Sequence, residues 1–289
     1  MTLSPTRRGF LLATASTPLF VGTRAFAATP DRFAALETAS GGRLGVAALN
    51  TATGATIGHR QNERFAFCST NKMIVVSGVL KRSETETGLL DRRITYTKAD
   101  LLSYAPVTSK HVATGMTVET LCAAALEYSD NTAENLLIRL LGGPKAVTAW
   151  ARSIGDTVFR IDRLEPELNT AIPGDPRDTT TPAAMTRDLH GLALGTLLGP
   201  AERTRLVGWM KNCKTGGARI RAGVPAGWTV ADKTGTGDYG TTNDIGVIWP
   251  PGKPPIVLTV YFTQPADKGA KPKDDVLASA ARIVTETFD

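Results

Sequence analysis

Ser69-Thr70-Asn71-Lys72 sets a hydroxyl and an amine three residues apart at the head of a solidly apolar stretch, Met73 to Leu80. On a helix that spacing brings both side chains to one face, within reach of each other. A serine hydroxyl is a poor nucleophile until a nearby base takes its proton, and an amine in a desolvated pocket can have its pKa lowered enough to help. At a helix start the Ser69 backbone N–H is unpaired within the helix and points into the site. The tetrad alone is common, with roughly one Ser-x-x-Lys expected by chance in a chain of this length. Its weight comes from the motifs downstream of it. Metal chemistry has less to work with: His59, His111 and His190 stand apart from one another and from carboxylates, and Cys68, Cys122 and Cys213 lack C-x-x-C spacing. No metal and no cofactor are expected, and the cysteines read as small buried apolar residues.

The elements that must position Ser69 follow from hydrophobic periodicity. Asp31 to Thr38 reads as an N-terminal helix, and Arg43 to Asn50 and Thr56 to Arg60 as strands around a hairpin turn at Thr51-Ala52-Thr53-Gly54. From Ser69 to about Met210 the pattern is helical, with examples at Val118 to Leu126, Ala133 to Leu141, Pro144 to Ile154, Pro182 to Leu194 and Ala201 to Met210. Arg163 to Thr181, with Pro166, Pro173, Gly174 and Pro176, reads as a long compact surface loop, a kind that is usually functional. Strand character returns at Gly227 to Ala231, Asn243 to Trp249 and Pro255 to Thr263, before a last helix from about Asp274 to Thr287. Strands at both ends imply a discontinuous α/β lobe, 28–62 and 214–289, closing around an all-α lobe, 63–213, with the active site between them.

Three further motifs come after Ser69 in order: Ser129-Asp130-Asn131 between two helical segments, Glu165-Pro166-Glu167-Leu168-Asn169 in the long loop, and Lys233-Thr234-Gly235 at the end of a strand. With the Ser-x-x-Lys, these resemble the class A serine β-lactamases, of the superfamily that includes the penicillin-binding proteins, over nearly all of the mature chain. Any one tripeptide is weak, whereas the ordered set of four is specific. A second Lys-Thr-Gly, at 214–216, comes after a helix instead of a strand and is expected to be a turn.

The resemblance implies a two-lobed fold, an antiparallel sheet flanked by helices plus an all-helical lobe. It also implies hydrolysis of the β-lactam amide. Ser69 would be the nucleophile, with the N–H groups of Ser69 and Thr236 as oxyanion hole. Ser129, held by Lys72 and Lys233, would relay a proton to the lactam nitrogen. Asn131 would bond the substrate's side-chain amide. Glu165 and Asn169 would hold the hydrolytic water, with Glu165 as deacylation base, and either Lys72 or Glu165 could be the acylation base. Thr234 and Gly235 would line the substrate edge, and Tyr104 resembles an aromatic gate. Pro166 permits a cis peptide after Glu165, and Arg163 and Asp178 would pair across the neck of the loop.

Some positions depart from the family pattern. Thr242 stands where many relatives carry an arginine for the substrate carboxylate, and Arg219 sits where some place a substitute guanidinium. Cys68 resembles the carbapenem-hydrolysing members, but Gly237 stands where their partner cysteine would be. Cys122 lacks the partner that a penicillinase-type disulfide would need, because Val76 occupies the matching place. Thr236 is compatible with cephalosporin turnover. The ranking of penicillins, cephalosporins and carbapenems stays open.

Residues 1–27 read as a twin-arginine leader: Thr6-Arg7-Arg8-Gly9-Phe10-Leu11, a mildly apolar run to Val21, then the small-x-small site Ala25-Phe26-Ala27. Its removal takes Arg7, Arg8 and Arg24 from a formal charge of +6. The weak excess left, without Lys/Arg runs among aromatics, argues against a nucleic-acid partner. No segment is long enough to span a bilayer, so the expectation is a soluble monomer in the periplasm or secreted, without membrane association. Two rivals share part of the pattern: a D-alanyl-D-alanine peptidase, against which Glu165 with Asn169 argues, and a non-catalytic β-lactam sensor or peptidoglycan-binding module that keeps the acyl adduct.

Overall fold

The computed structural model describes Met1, Thr2 and residues 29–289, so the expected leader lies outside the described residues apart from its first two. Helix α1, Thr29–Ser40, leads into strand β1, Arg43–Asn50, and Gly54 at φ 73° turns the chain back as β2, Thr56–His59. After the two-residue strand β3, Phe65–Ala66, a single 3-10 turn over Cys68–Asn71 opens α2, Lys72–Ser83. Residues Met73 to Leu80 of α2 are buried on every side, which is why its sequence is continuously apolar and not amphipathic. Burial of each large aliphatic side chain there stabilises the fold by about 1.5–3 kcal/mol. The one hydroxyl in that run, Ser77, donates to the Ile74 carbonyl and accepts from the Trp150 indole N–H at 3.0 Å, so it is buried without an orphaned polar atom.

Strands β4, Arg93–Ile94, and β5, Met116–Thr117, pair briefly before α3, Val118–Glu127, α4, Asn131–Leu141, and α5, Pro144–Ser153. Side chains cap the starts of α3 and α4: Thr117 accepts from Thr120 N, and Asp130 accepts from Ala133 N at 2.9 Å, each worth about 1 kcal/mol. Gly142, at φ 107°, ends α4 in the left-handed conformation that glycine adopts without penalty. Strand β6, Thr179–Thr180, returns to pair with β3, and α6, Pro182–Ala193, and α7, Pro200–Lys211, come next. The span 63–213 is thus mainly helical but carries four two-residue strands, too short to register as periodicity in sequence.

A short helix α8, Ile220–Gly223, precedes three long strands: β7, Thr229–Gly237, β8, Thr241–Trp249, and β9, Ile256–Thr263. Helix α9, Asp274–Phe288, closes the chain. The sheet runs β2-β1-β9-β8-β7, antiparallel throughout, with β1 paired to β9 from Arg43↔Thr263 to Asn50↔Ile256. The expected α/β fold with an antiparallel sheet is what forms. One apolar cluster packs α1 and α9 on the sheet through Phe33, Leu44, Phe262, Leu277 and Val284. A second gathers α2 to α7 around Ile74, Val79, Leu121 and Leu137.

Strand β7 extends beyond the stretch of strand character at Gly227 to Ala231, carrying Lys233-Thr234-Gly235 and ending at Gly237. Its second half is Asp, Lys, Thr and Gly, with no apolar alternation to announce a strand. Yet β8 pairs with it residue for residue, from Thr229↔Trp249 to Gly237↔Thr241. Lys233, Thr234 and Gly235 therefore lie inside the outermost strand, whose free edge faces the helices.

Candidate active site

The nucleophile candidate sits where three elements meet. The 3-10 turn presents Ser69 with Cys68 at φ 46° before it, a conformation costing a non-glycine residue about 1–2 kcal/mol. Ser129, at φ 59°, is held the same way. Asp130, fully buried, pins that turn: besides capping α4, its carboxylate accepts from Val107 N, Thr108 N and the Thr108 hydroxyl at 2.9–3.0 Å. Strand β7 comes close enough only because residue 235 is glycine. A Cβ there would lie 2.7 Å from the Phe67 carbonyl oxygen and 3.1 Å from the Ser69 and Thr70 nitrogens.

The long loop brings a carboxylate to the same place. Its neck is closed by Asp178, which accepts from Asp162 N at 2.7 Å, Arg163 N at 3.0 Å and Arg163 Nε at 2.5 Å. Asn135 clamps Glu165 by its backbone, donating to its carbonyl and accepting from its N–H at 2.9 and 3.0 Å. The Glu165–Pro166 peptide is cis.

Here the side chains converge. Lys72 Nζ donates to Ser69 Oγ at 2.6 Å, to Asn131 Oδ1 at 2.9 Å and to Glu165 Oε1 at 2.9 Å, while Ser69 Oγ donates to Glu165 Oε1 at 3.2 Å. Asn169 donates to the other oxygen of Glu165, and its own Oδ1 is buried without a donor among the described residues. On the opposite side Lys233 Nζ donates to Ser129 Oγ at 3.0 Å and to the Thr234 carbonyl at 2.7 Å.

Ser69, Ser129, Asn131, Asn169, Thr234, Gly235, Thr236, Arg219 and the half-exposed Tyr104 line a cleft of about 280 Å³. Lys72, Glu165 and Lys233 lie buried behind it. Hydroxyls thus face the substrate space while the charges that act on them sit out of water, where electrostatic interactions are strongest. A larger cavity of about 470 Å³ lies beside Arg43 and Arg177 but contains no nucleophile paired with a base. All twelve residues singled out from sequence come together around one cleft.

Burial disfavours the Lys72 ammonium, but the Glu134 and Glu165 carboxylates outweigh it and hold Lys72 above the usual lysine range. The lowered amine that desolvation alone would give is not what this pocket makes. Burial, with the Lys72 ammonium adding to it, brings Lys233 down to about 8.

Arg219 is nearly buried and heavily engaged. It donates to Asp274 Oδ1 at 2.8 Å, to the carbonyls of the paired residues Gly235 and Asn243 at 2.8 and 2.7 Å, and to Thr236 Oγ at 2.8 Å. A guanidinium has five N–H donors, so one remains for the cleft. Thr242, directly opposite Thr236, is buried and accepts from Lys273 N. Residue 237 could not carry a side chain without moving its neighbours: a Cβ would stand 2.5 Å from the Asn169 carbonyl oxygen and 2.7 Å from Cys68 Sγ. Cys68, Cys122 and Cys213 are buried and free.

Sequence reasoning missed three contributors. Thr215, within the second Lys-Thr-Gly, lies in a bend between α7 and α8 but also lines the cleft and hydrogen-bonds Thr234. Asn135, the clamp on Glu165, gives no sequence signal beyond being a polar residue in an apolar helix. Glu134 is fully buried with Oε2 2.9 Å from Lys72 Nζ. Its place three residues after Asn131, on one helix face, could have revealed it.

The profile of the beta-lactamase enzyme family matches residues 29–288. Beta-lactamase CTX-M-8 of Citrobacter amalonaticus is 54% identical over 286 residues, covering 98% of each chain. A beta-lactamase from Desulfarculus baarsii superposes with a TM-score of 0.89 at 56% identity, over 91% of this chain and 97% of that one. An ancestral class A beta-lactamase gives a TM-score of 0.87 at 57% identity, over 90% of this chain and 100% of its own.

Proposed function

The chain belongs to the beta-lactamase enzyme family and is a class A β-lactamase, and we propose that it works through an acyl-enzyme on Ser69 that Glu165 drives to hydrolysis. The observation that carries this reading is the closed set of contacts among Ser69 Oγ, Lys72 Nζ and Glu165 Oε1, each within 3.2 Å of the other two.

Ser69 Oγ attacks the lactam carbonyl, passing its proton to the Lys72–Glu165 pair. The N–H groups of Ser69 and Thr236 take the negative charge that develops on the carbonyl oxygen, a contribution of about 3–4 kcal/mol per donor in comparable sites. As the C–N bond breaks, Ser129 gives its hydroxyl proton to the nitrogen and is refilled from the Lys233 ammonium. Once exchange through solvent has removed the acylation proton from the Lys72–Glu165 pair and restored that of Lys233, Glu165 takes a proton from water while the water oxygen attacks the ester carbonyl. The C–Oγ bond breaks and Ser69 recovers its proton. Asn169 steadies Glu165 through one oxygen, and its unpartnered Oδ1 is suited to accept from that same water. Lys233, Thr234 and the remaining Arg219 donor bind the substrate carboxylate, Asn131 its side-chain amide, and Tyr104 borders the entrance.

The placed carboxylate distinguishes this reading from a peptidase or a sensor, which acylate without one. The same reading takes the protein as exported and monomeric, with an α/β lobe of 28–62 and 214–289 around the helical span 63–213. No helix of the described residues is long and apolar enough to cross a membrane.

Glu165→Ala tests the mechanism. Incubated with a chromogenic cephalosporin, the variant should give a burst and then stall, with mass spectrometry finding the adduct on Ser69. Undiminished steady-state turnover with no adduct would overturn the role of Glu165.

A further inference from the structure

Glu134 has no part in the acyl-enzyme mechanism, yet it occupies the same buried pocket. Its carboxylate is fully buried, with Oε2 2.9 Å from Lys72 Nζ. The approach is off the axis of a directed hydrogen bond, and neither carboxylate oxygen has a hydrogen-bond partner among the described residues. Lys72 already spends its donors on Ser69, Asn131 and Glu165. One ammonium therefore faces two buried carboxylates, a charge imbalance that is costly in a water-poor interior unless a proton neutralises it.

We propose that Glu134 is a positioning residue for acylation, a second carboxylate whose own charge decides how firmly Lys72 is held as an ammonium beside Ser69. With Glu134 ionised, Lys72 stays a donor to Ser69 Oγ, and the serine proton goes to Glu165 Oε1 instead of to the amine. The proton that Glu165 gains balances the one that leaves Ser129 for the lactam nitrogen, and exchange through solvent restores Glu165 and Lys233 before water attacks. With Glu134 protonated, Lys72 is held by Glu165 alone.

The charged groups acting on Glu134 come from three elements: Lys72 on α2, Glu165 on the long loop and Lys233 on β7. Helices α3 and α5, also packed on α4, contribute buried apolar residues such as Ala125 and Val147. Burial first, with the Glu165 carboxylate adding to it, raises Glu134 to about 7 against the pull of Lys72. Its charge therefore changes near neutrality, whereas the attraction of both lysines to it favours their charged forms.

The inference rests on the acyl-enzyme reading, and the test separates the two. Glu134→Gln keeps the shape and removes the charge, and Glu134→Met removes the polarity as well. Both ammonium groups lose an attractive neighbour, so the alkaline limb of kcat/KM for a chromogenic cephalosporin should move to lower pH by about one unit in both variants. In wild-type enzyme labelled with 13C-carboxyl glutamate, one resonance should titrate near 7, the value burial and Glu165 give Glu134, and vanish in Glu134→Gln. A pH profile that keeps its limbs while falling uniformly would reduce Glu134 to packing and overturn the proposal, as would the lack of a glutamate titrating in that range. Failure of the acyl-enzyme reading would appear differently, as no Ser69 adduct in Glu165→Ala whatever the pH profile of the Glu134 variants.

Discussion

Lys233 donates to Ser129, and in the proposed mechanism the same charge also serves the substrate carboxylate. Because burial, aided by Lys72, brings it down to about 8, it loses its proton only slightly above neutrality. The ammonium is intact below that value, so kcat/KM should fall as pH rises through it. Lys233→Arg should lower the rate but lift the alkaline limb by more than about one unit, because guanidinium stays charged beyond pH 12. A limb that stays in place would assign it to another group. Glu134 shows the same dependence on neighbours, since together with Glu165 it holds a lysine on a different helix above the usual range.

The long loop is an element whose function is geometric. Its closed neck keeps Glu165 at Ser69, and Asp178, buried to 1% side-chain exposure, satisfies three donors there. Asp178→Ala would leave two backbone N–H groups and a guanidinium without their acceptor, a cost of about 3–5 kcal/mol. The variant should melt earlier and show a deacylation rate reduced more than its acylation rate, read by the steady-state fraction of acyl-enzyme. Equal loss in both steps would make the neck a stability device only. Strand β7 is the matching element across the cleft, and Arg219 stiffens it by tying Gly235 and Asn243 together. Arg219→Ala is thus a change in the substrate edge as much as a lost charge.

Across the whole molecule, buried acids tune stability against pH. Asp188, in the helix that packs on the sheet, is raised to about 9 by burial and by Asp156, and each of these two residues keeps one carboxylate oxygen without a donor among the described residues. A raised acid contributes stability that is complete below the unfolded carboxylate range and is lost as pH climbs to the folded value. Thermal unfolding should therefore come at lower temperature at pH 9 than at pH 6. Asp188→Asn should narrow that gap, with an effect on the order of a few kcal/mol at the alkaline end. A variant whose melting temperature tracks wild type at both values would move the source elsewhere.

The amino-acid order determined the chemistry and most of the scaffold. A hydroxyl and an amine three residues apart, a Ser-Asp-Asn, a loop glutamate and a Lys-Thr-Gly each carry local constraints that a linear chain can display, and continuous apolar runs announce α2 and the inner strands. What only the tertiary structure decided depends on distance between elements. The second half of β7 is a strand because β8 lies beside it, and its own side chains say little. Arg219 is a brace as well as a donor because two paired carbonyls reach it. Lys72 is held above the usual lysine range because Glu134 and Glu165 meet it from a helix and a loop 62 and 93 positions further along the chain. Charge acts through space, and its sign at Lys72 is settled by neighbours that the sequence keeps far apart.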